Sequence, residues 1–166
     1  MFKKIAIAAT LAMIASSSFA AGPFYAGADF GRTKIDDVSD RYSSYGGFLG
    51  YSFHQNFAIE AGYRRLADYD EVINGTKVGV TVDQAALSLV GTLPLNNGFN
   101  VYGRLGYNRL EAKGSVGNIS ATDTTSGALY GVGAGYAFSD TVSGRIEVQK
   151  PSSDSTNINA AVVIRF

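Results

Sequence analysis

The sequence predicts an all-β fold, an eight-stranded antiparallel up-and-down transmembrane β-barrel. Three observations carry that prediction. After residue 20 the chain falls into eight segments of period-two hydropathy, the links between them alternate short and long, and aromatic residues gather at segment ends around an aliphatic middle. Alternation over about ten residues is the pattern of a strand with lipid on one side and a lumen on the other.

The first twenty residues stand apart. Lys3 and Lys4 precede an apolar run, Ile5 to Ile14, and Ser18-Phe19-Ala20 puts small residues at −3 and −1 of a cleavage site. Charge, apolar run and small residues in that order make residues 1–20 a cleaved signal peptide, and the run is too short to span a membrane as a helix. Cleavage after Ala20 leaves 146 residues, Ala21 to Phe166, a length suited to one barrel domain over 21–166.

Composition narrows the function classes. With no cysteine, neither a disulfide framework nor thiolate chemistry is available. The 14 basic and 14 acidic residues balance, and without Lys3 and Lys4 the mature chain carries 12 against 14, a net charge of −2. That gives no electrostatic case for nucleic acid. The 20 glycines are spread through the alternating segments instead of gathering in linkers, as in a barrel with a crowded interior.

The eight strands are read at 23–32, 43–53, 57–66, 80–93, 99–109, 127–138, 142–150 and 158–166. Short turns fall at His54 to Asn56, Pro94 to Gly98 and Ser139 to Thr141; longer polar links fall at 33–42, 67–79, 110–126 and 151–157. Short turns on one side and long loops on the other place both termini at the periplasmic side.

Alternation alone does not say which face looks outward, since a soluble lipocalin-like barrel would turn its apolar face inward. The aromatics decide. Phe53, Phe57, Phe99, Phe138 and Phe166 sit at the short-turn ends, and Tyr63, Tyr107 and Tyr130 toward the long loops, with Ala, Val, Leu and Ile between. Two aromatic belts around an aliphatic band match the two interfaces of a bilayer. The opposite face, rich in glycine and in charges of both signs, then lines the lumen. It carries Asp29, Glu60, Arg64, Tyr102, Arg104, Arg145 and Glu147 among others.

Two groups of residues on this scaffold are candidate sites. The lumen charges Glu60, Arg64, Arg104, Arg145 and Glu147 form the first. Eight strands enclose an interior just filled by side chains, and unpaired charge there is costly. A salt-bridge plug is the favoured reading, a gate for ions or water the other. The second is a row of outward basic residues above the upper belt: Arg32 after Phe30, Arg65 after Tyr63, Arg109 after Tyr107 and Lys150 after Val148. Period two sets each cation directly above a lipid-facing residue, at the height of lipopolysaccharide phosphates. A phosphate-binding girdle and ordinary snorkelling both fit.

The whole mature chain resembles the OmpA-like transmembrane domain and its OmpX-type and opacity-type relatives. Asn100-Val101-Tyr102-Gly103-Arg104-Leu105-Gly106 is similar to the family strand with an inward arginine; Glu60 stands where the family has an inward glutamate; Gly144-Arg145-Ile146-Glu147 matches an inward Arg-x-Glu; and Ile164-Arg165-Phe166 resembles the terminal assembly signal, with Phe166 as its aromatic. The resemblance implies an outer-membrane location, a monomer, contact with outer-membrane lipid, and partners in the barrel-assembly machinery and periplasmic chaperones during biogenesis. It also implies a structural, envelope-integrity role with surface interaction of an adhesin-like kind, through loops that would meet host ligands; a low-conductance porin is the alternative. Thr92 and Gly135 replace a lysine and a glutamate of the family's interior. Nor does the sequence, ending at Phe166, carry that family's peptidoglycan-binding domain, so a tether to the cell wall of that kind is not expected.

No catalytic, cofactor or metal site is assigned. The one histidine, His54, falls in a periplasmic turn, away from any acid that would orient it as a base. Asp36, Asp37 and Asp40 offer carboxylates but fix no coordination geometry.

Overall fold

In a computed structural model the chain is described over residues 22–35, 41–73, 76–116 and 119–166, with backbone alone at 35, 41, 69–73, 76–78, 115, 116 and 119. The expected signal peptide and the acidic cluster at Asp36, Asp37 and Asp40 lie outside the described residues. Eight strands follow one another: β1 (Phe24–Ile35), β2 (Arg41–His54), β3 (Phe57–Ile73), β4 (Thr76–Pro94), β5 (Phe99–Val116), β6 (Ile119–Ala137), β7 (Val142–Ser152) and β8 (Ser155–Arg165). Each pairs antiparallel with its sequence neighbours, and β8 returns to β1 to close the barrel. Closure satisfies every strand's backbone groups inside the hydrocarbon, where no water is available to do so.

The three short turns stand where the sequence put them. The longer links do not. β3 runs on to Ile73 and β4 begins at Thr76, with Ile73 opposite Thr76; β5 runs to Val116 and β6 begins at Ile119, again as opposed residues. Most of 67–79 and 110–126 is therefore ladder, not loop. Nor does 151–157 form a long loop, since β7 and β8 enclose only Ser153 and Asp154. The cause is local. Val78, Val80, Thr81, Val82, Thr122, Thr124 and Thr125 favour extended backbone. Outside the membrane nothing requires an apolar face, so the alternation that marks a spanning strand fades while the strand continues. β3 to β6 have 17, 19, 18 and 19 residues against 11 in β7 and β8. Since 9–11 residues cross a bilayer, β3 to β6 project well beyond the external rim.

The two faces are as expected. Leu49, Leu87, Leu105, Val132, Ile146 and Val162 are all more than half exposed on the outer face, with Phe53, Phe57, Phe99, Phe138, Tyr63, Tyr107 and Tyr130 above and below them. Inside, Asp29, Glu60, Ser88, Glu147, Gln149 and Asn159 are buried. Tyr25 and Phe48 are inward too, packed edge to face with centroids 6.4 Å apart, although neither was assigned to the lumen from the sequence. Glycine makes their space. A Cβ on Gly50 would lie 2.1 Å from the Tyr25 ring, and one on Gly133 2.5 Å from the Tyr102 ring.

Two β-bulges break the register at the external end, one between Arg65 and Ala67 on β3 and one between Gln149 and Ser152 on β7. After the first, Leu66 and Ala67 are both buried, at 2 % and 0 % exposure. Strict alternation would have sent Ala67 outward; the extra residue turns it in.

Candidate functional site

Period two on β3, β5 and β7 aims Glu60, Arg104, Arg145 and Glu147 at one level of the lumen. Glu60 is the centre. Tyr25 Oη donates to its Oε1 at 2.7 Å, Arg145 Nη1 to the same oxygen at 2.6 Å, and Arg104 Nη2 to Oε2 at 2.5 Å. Glu147 takes the other side of Arg104, from Nε at 2.8 Å and Nη2 at 3.2 Å, and accepts Tyr102 Oη at 3.0 Å. The Arg145 guanidinium lies over the rings of Tyr25, Tyr102 and Phe48, 5.2–5.5 Å from their centroids. Two carboxylates face two guanidiniums, so the cluster is neutral as a whole.

Arg64 is not part of it. Its guanidinium forks onto Asp29, with Nε to Oδ1 at 2.6 Å and Nη2 to Oδ2 at 3.0 Å, and Nη1 reaches Gln84 at 3.3 Å. The expected single network of five charges is thus two units, because Asp29 on β1 comes within reach of β3 across β2. Between them, Arg64, Gln84, Arg104 and Gln149 border a space of about 20 Å³, room for one water. Toward the outside, Asn157 donates to Thr33 and Ser44 at 3.0 and 2.7 Å and accepts from Gln149 and Asn159. Toward the periplasmic turns, a polar vestibule of about 270 Å³ is walled by Ser52, Asn100 and Ser143, with Arg145 and Arg165. Gly135 sits directly across from Arg145, and Asn100 Oδ1 fills the place of its missing Cβ at 2.7 Å. That accounts for the absence of a larger inward side chain there.

Chemically, such an interior is suited to holding eight strands in register. His54 accepts the Asn56 backbone N–H on Nδ1 at 3.2 Å, as an exposed turn residue would. Among the described residues no three His, Cys, Asp or Glu side chains gather as metal ligands.

The outward basic residues take their expected positions in unequal states. Arg32, between Ser43 and Ile158, and Arg109, between Ala85 and Ser126, are exposed. Lys150, opposite Tyr130, donates to the Ser153 carbonyl at 3.2 Å. Arg65 is already held, by Asp83 through Nε at 2.9 Å and Nη2 at 3.3 Å, and by Asp68 at 3.4 Å. Sequence reasoning missed Asp83, although its position two residues before the outward Ala85 marks it as outward. It missed Tyr25 in the network because an aromatic next to Phe24 reads as belt. The phase of Gly27 and Asp29 was the available sign.

A family model for the outer membrane protein beta-barrel domain matches residues 6–166. The chain belongs to that family. Family membership places it in the outer membrane. Among solved structures, this outer-membrane barrel is similar to Neisserial surface protein A, with a TM-score of 0.71 at 16 % identity over 87 % of this chain and 98 % of that one. It is similar to the N-terminal barrel domain of Pseudomonas aeruginosa OprF, with a TM-score of 0.63 at 15 % identity over 87 % and 98 %. It also resembles Ail of Yersinia pestis, with a TM-score of 0.59 at 15 % identity over 86 % and 96 %. At such identities the likeness is one of fold. No curated protein matches the outer-membrane barrel in sequence.

Proposed function

We propose that this chain is a monomeric, non-enzymatic outer-membrane barrel that supports envelope integrity and presents its projecting hairpins, β3–β4 and β5–β6, for adhesin-like surface interaction. The observation that carries the reading is the division of the molecule. Glu60, Arg104, Arg145 and Glu147 occupy the lumen with mutual ion pairs of 2.5–2.8 Å, while four strands continue past the rim. A filled interior supports a structural barrel; long exposed ladders support recognition outside it. Ail, the attachment invasion locus protein, was solved with the heparin analogue sucrose octasulfate, which lends an adhesive role some support by analogy of fold. The low-conductance porin is the second reading, favoured by the polar vestibule that reaches Arg145 from the periplasmic side.

Biogenesis brings the further partners, periplasmic chaperones and the barrel-assembly machinery, the latter reading Phe166. Around the rim, Arg32, Arg109 and Lys150, with Arg65 partly neutralised, would meet lipopolysaccharide phosphates.

Two measurements test the reading. Planar-bilayer recordings of the refolded mature chain should show no discrete conductance steps; regular small steps favour the porin instead. Capture of host-surface or envelope proteins by the intact barrel should be lost when residues 66–80 and 112–126 are replaced by two-residue turns. Capture that survives trimming overturns the adhesive role.

A further inference from the structure

The two β-bulges converge on one place. On β3 Leu66 faces inward by alternation and the bulge turns Ala67 in beside it, and Val82 of β4 and Leu110 of β5 join them. On β7 the second bulge ends at Ser152, ahead of the turn that carries Asp154. Asn108 Nδ2 ties that bulge to β5 by donating to the Pro151 carbonyl at 2.8 Å. Between the two bulges lies a cavity of about 140 Å³ at the external mouth, apolar on the β3–β5 side and polar at Ser152 and Asp154.

A seal against water would be filled. Apolar side chains close such space readily, and interiors seldom leave room beyond a water. This cavity is several waters in size, near the roughly 150 Å³ that accepts benzene in an engineered protein core. It has an apolar floor and one exposed carboxylate at its edge. Bulges that re-aim side chains recur beside binding sites. The shape and the single negative charge select a compact apolar molecule with a cationic end.

We propose that the external mouth binds one small amphiphilic amine, its apolar body on Leu66, Ala67, Val82 and Leu110 and its ammonium toward Asp154. The site takes a ligand from the outside and stands above the ion-pair cluster, independent of any protein partner on the hairpins.

Benzylamine is a suitable probe. The mature chain, nitrogen-15 labelled in lipid nanodiscs, is titrated with benzylamine, with benzyl alcohol and with glucose. Saturable amide shifts at Leu66, Ala67 and Leu110 are expected with the first two and none with glucose. Ala67→Phe fills the cavity and should abolish them; Val82→Phe, which fills it from the opposite strand, serves should the first variant not refold. Asp154→Asn should weaken benzylamine several-fold and leave benzyl alcohol unchanged. Shifts that never saturate and spread over lipid-facing Leu87 and Leu105 would mean partition into the bilayer and overturn the site, as would unchanged binding in a filled variant. Equal benzylamine binding with and without the Asp154 carboxylate overturns the cationic specificity.

Discussion

Arg104 and Glu147 are joined by two hydrogen bonds, 2.8 Å from Nε and 3.2 Å from Nη2, across the barrel from β5 to β7. The same Nη2 also reaches Glu60 on β3. One guanidinium therefore ties together three strands that share no direct ladder, and it does so where solvent is excluded.

Truncating that guanidinium leaves two buried carboxylates with one arginine between them. Arg104→Ala should cost about 3–5 kcal/mol, the usual penalty for orphaning a buried charge. Urea unfolding in lipid vesicles measures it. A midpoint equal to that of the unaltered barrel would show that the cluster carries no stability. Replacing Arg104 and both carboxylates together by apolar residues of similar volume should recover much of the loss.

Glycines should separate into two classes. A Cβ on Gly133 would lie 2.5 Å from the Tyr102 ring and 2.4 Å from the Ile146 carbonyl, so Gly133→Ala must displace a ring held by Glu147 or move backbone. A lowered folded fraction follows, read as loss of the heat-modifiable band on cold SDS gels. On Gly103 a Cβ meets nothing within 4 Å. Gly103→Ala should be neutral or gain up to about 1 kcal/mol from reduced chain entropy.

The outward cations should not behave alike. With Arg65 paired to Asp83, its charge is largely spent locally. Glutamine at Arg32, Arg109 and Lys150 together should lower co-purifying lipopolysaccharide, and high salt should have the same effect. Arg65→Gln alone should change retention little. Equal retention in the triple variant would reduce the row to snorkelling side chains.

Phe166 lies at the end of β8, where its backbone N–H donates to the Phe24 carbonyl at 2.9 Å. That bond survives Phe166→Ala. Spontaneous refolding into short-chain lipid vesicles should therefore proceed nearly unchanged, while assembly by the reconstituted machinery slows. Equal slowing in both assays would make the aromatic a structural group and no assembly signal.

The barrel was legible because lipid and lumen impose opposite demands on alternate residues, and Leu87 against Ser88 or Ile146 against Glu147 records the contrast directly. Strand ends were not. From Asp68 to Ile73 and from Ser120 to Ser126 the strands run beyond the bilayer, where either face tolerates polar residues. Within the lumen, the charges of β5 and β7 were readable from phase. The partners Tyr25 and Asp29 needed the curvature of a closed sheet, which brings β1 against β3 over 35 positions of sequence. The bulge at Arg65 left no mark in a stretch reading Arg64-Arg65-Leu66-Ala67, since an inserted residue looks like any other until register is known.

Above Tyr130, β6 has no ladder to β7, and over Ile119 to Leu129 its ladder among the described residues runs on the β5 side alone. The cylinder is thus closed only as far as the short strands reach; beyond them it opens into a sheet with a free edge. Natural edges are usually blunted by lysine, proline or a bulge, and Ser120 to Ser126 carries one charge, Asp123, and neither lysine nor proline. That margin holds a row of main-chain donors and acceptors turned toward the surroundings of the cell, the geometry by which an extended segment of another chain can be added as a ninth strand.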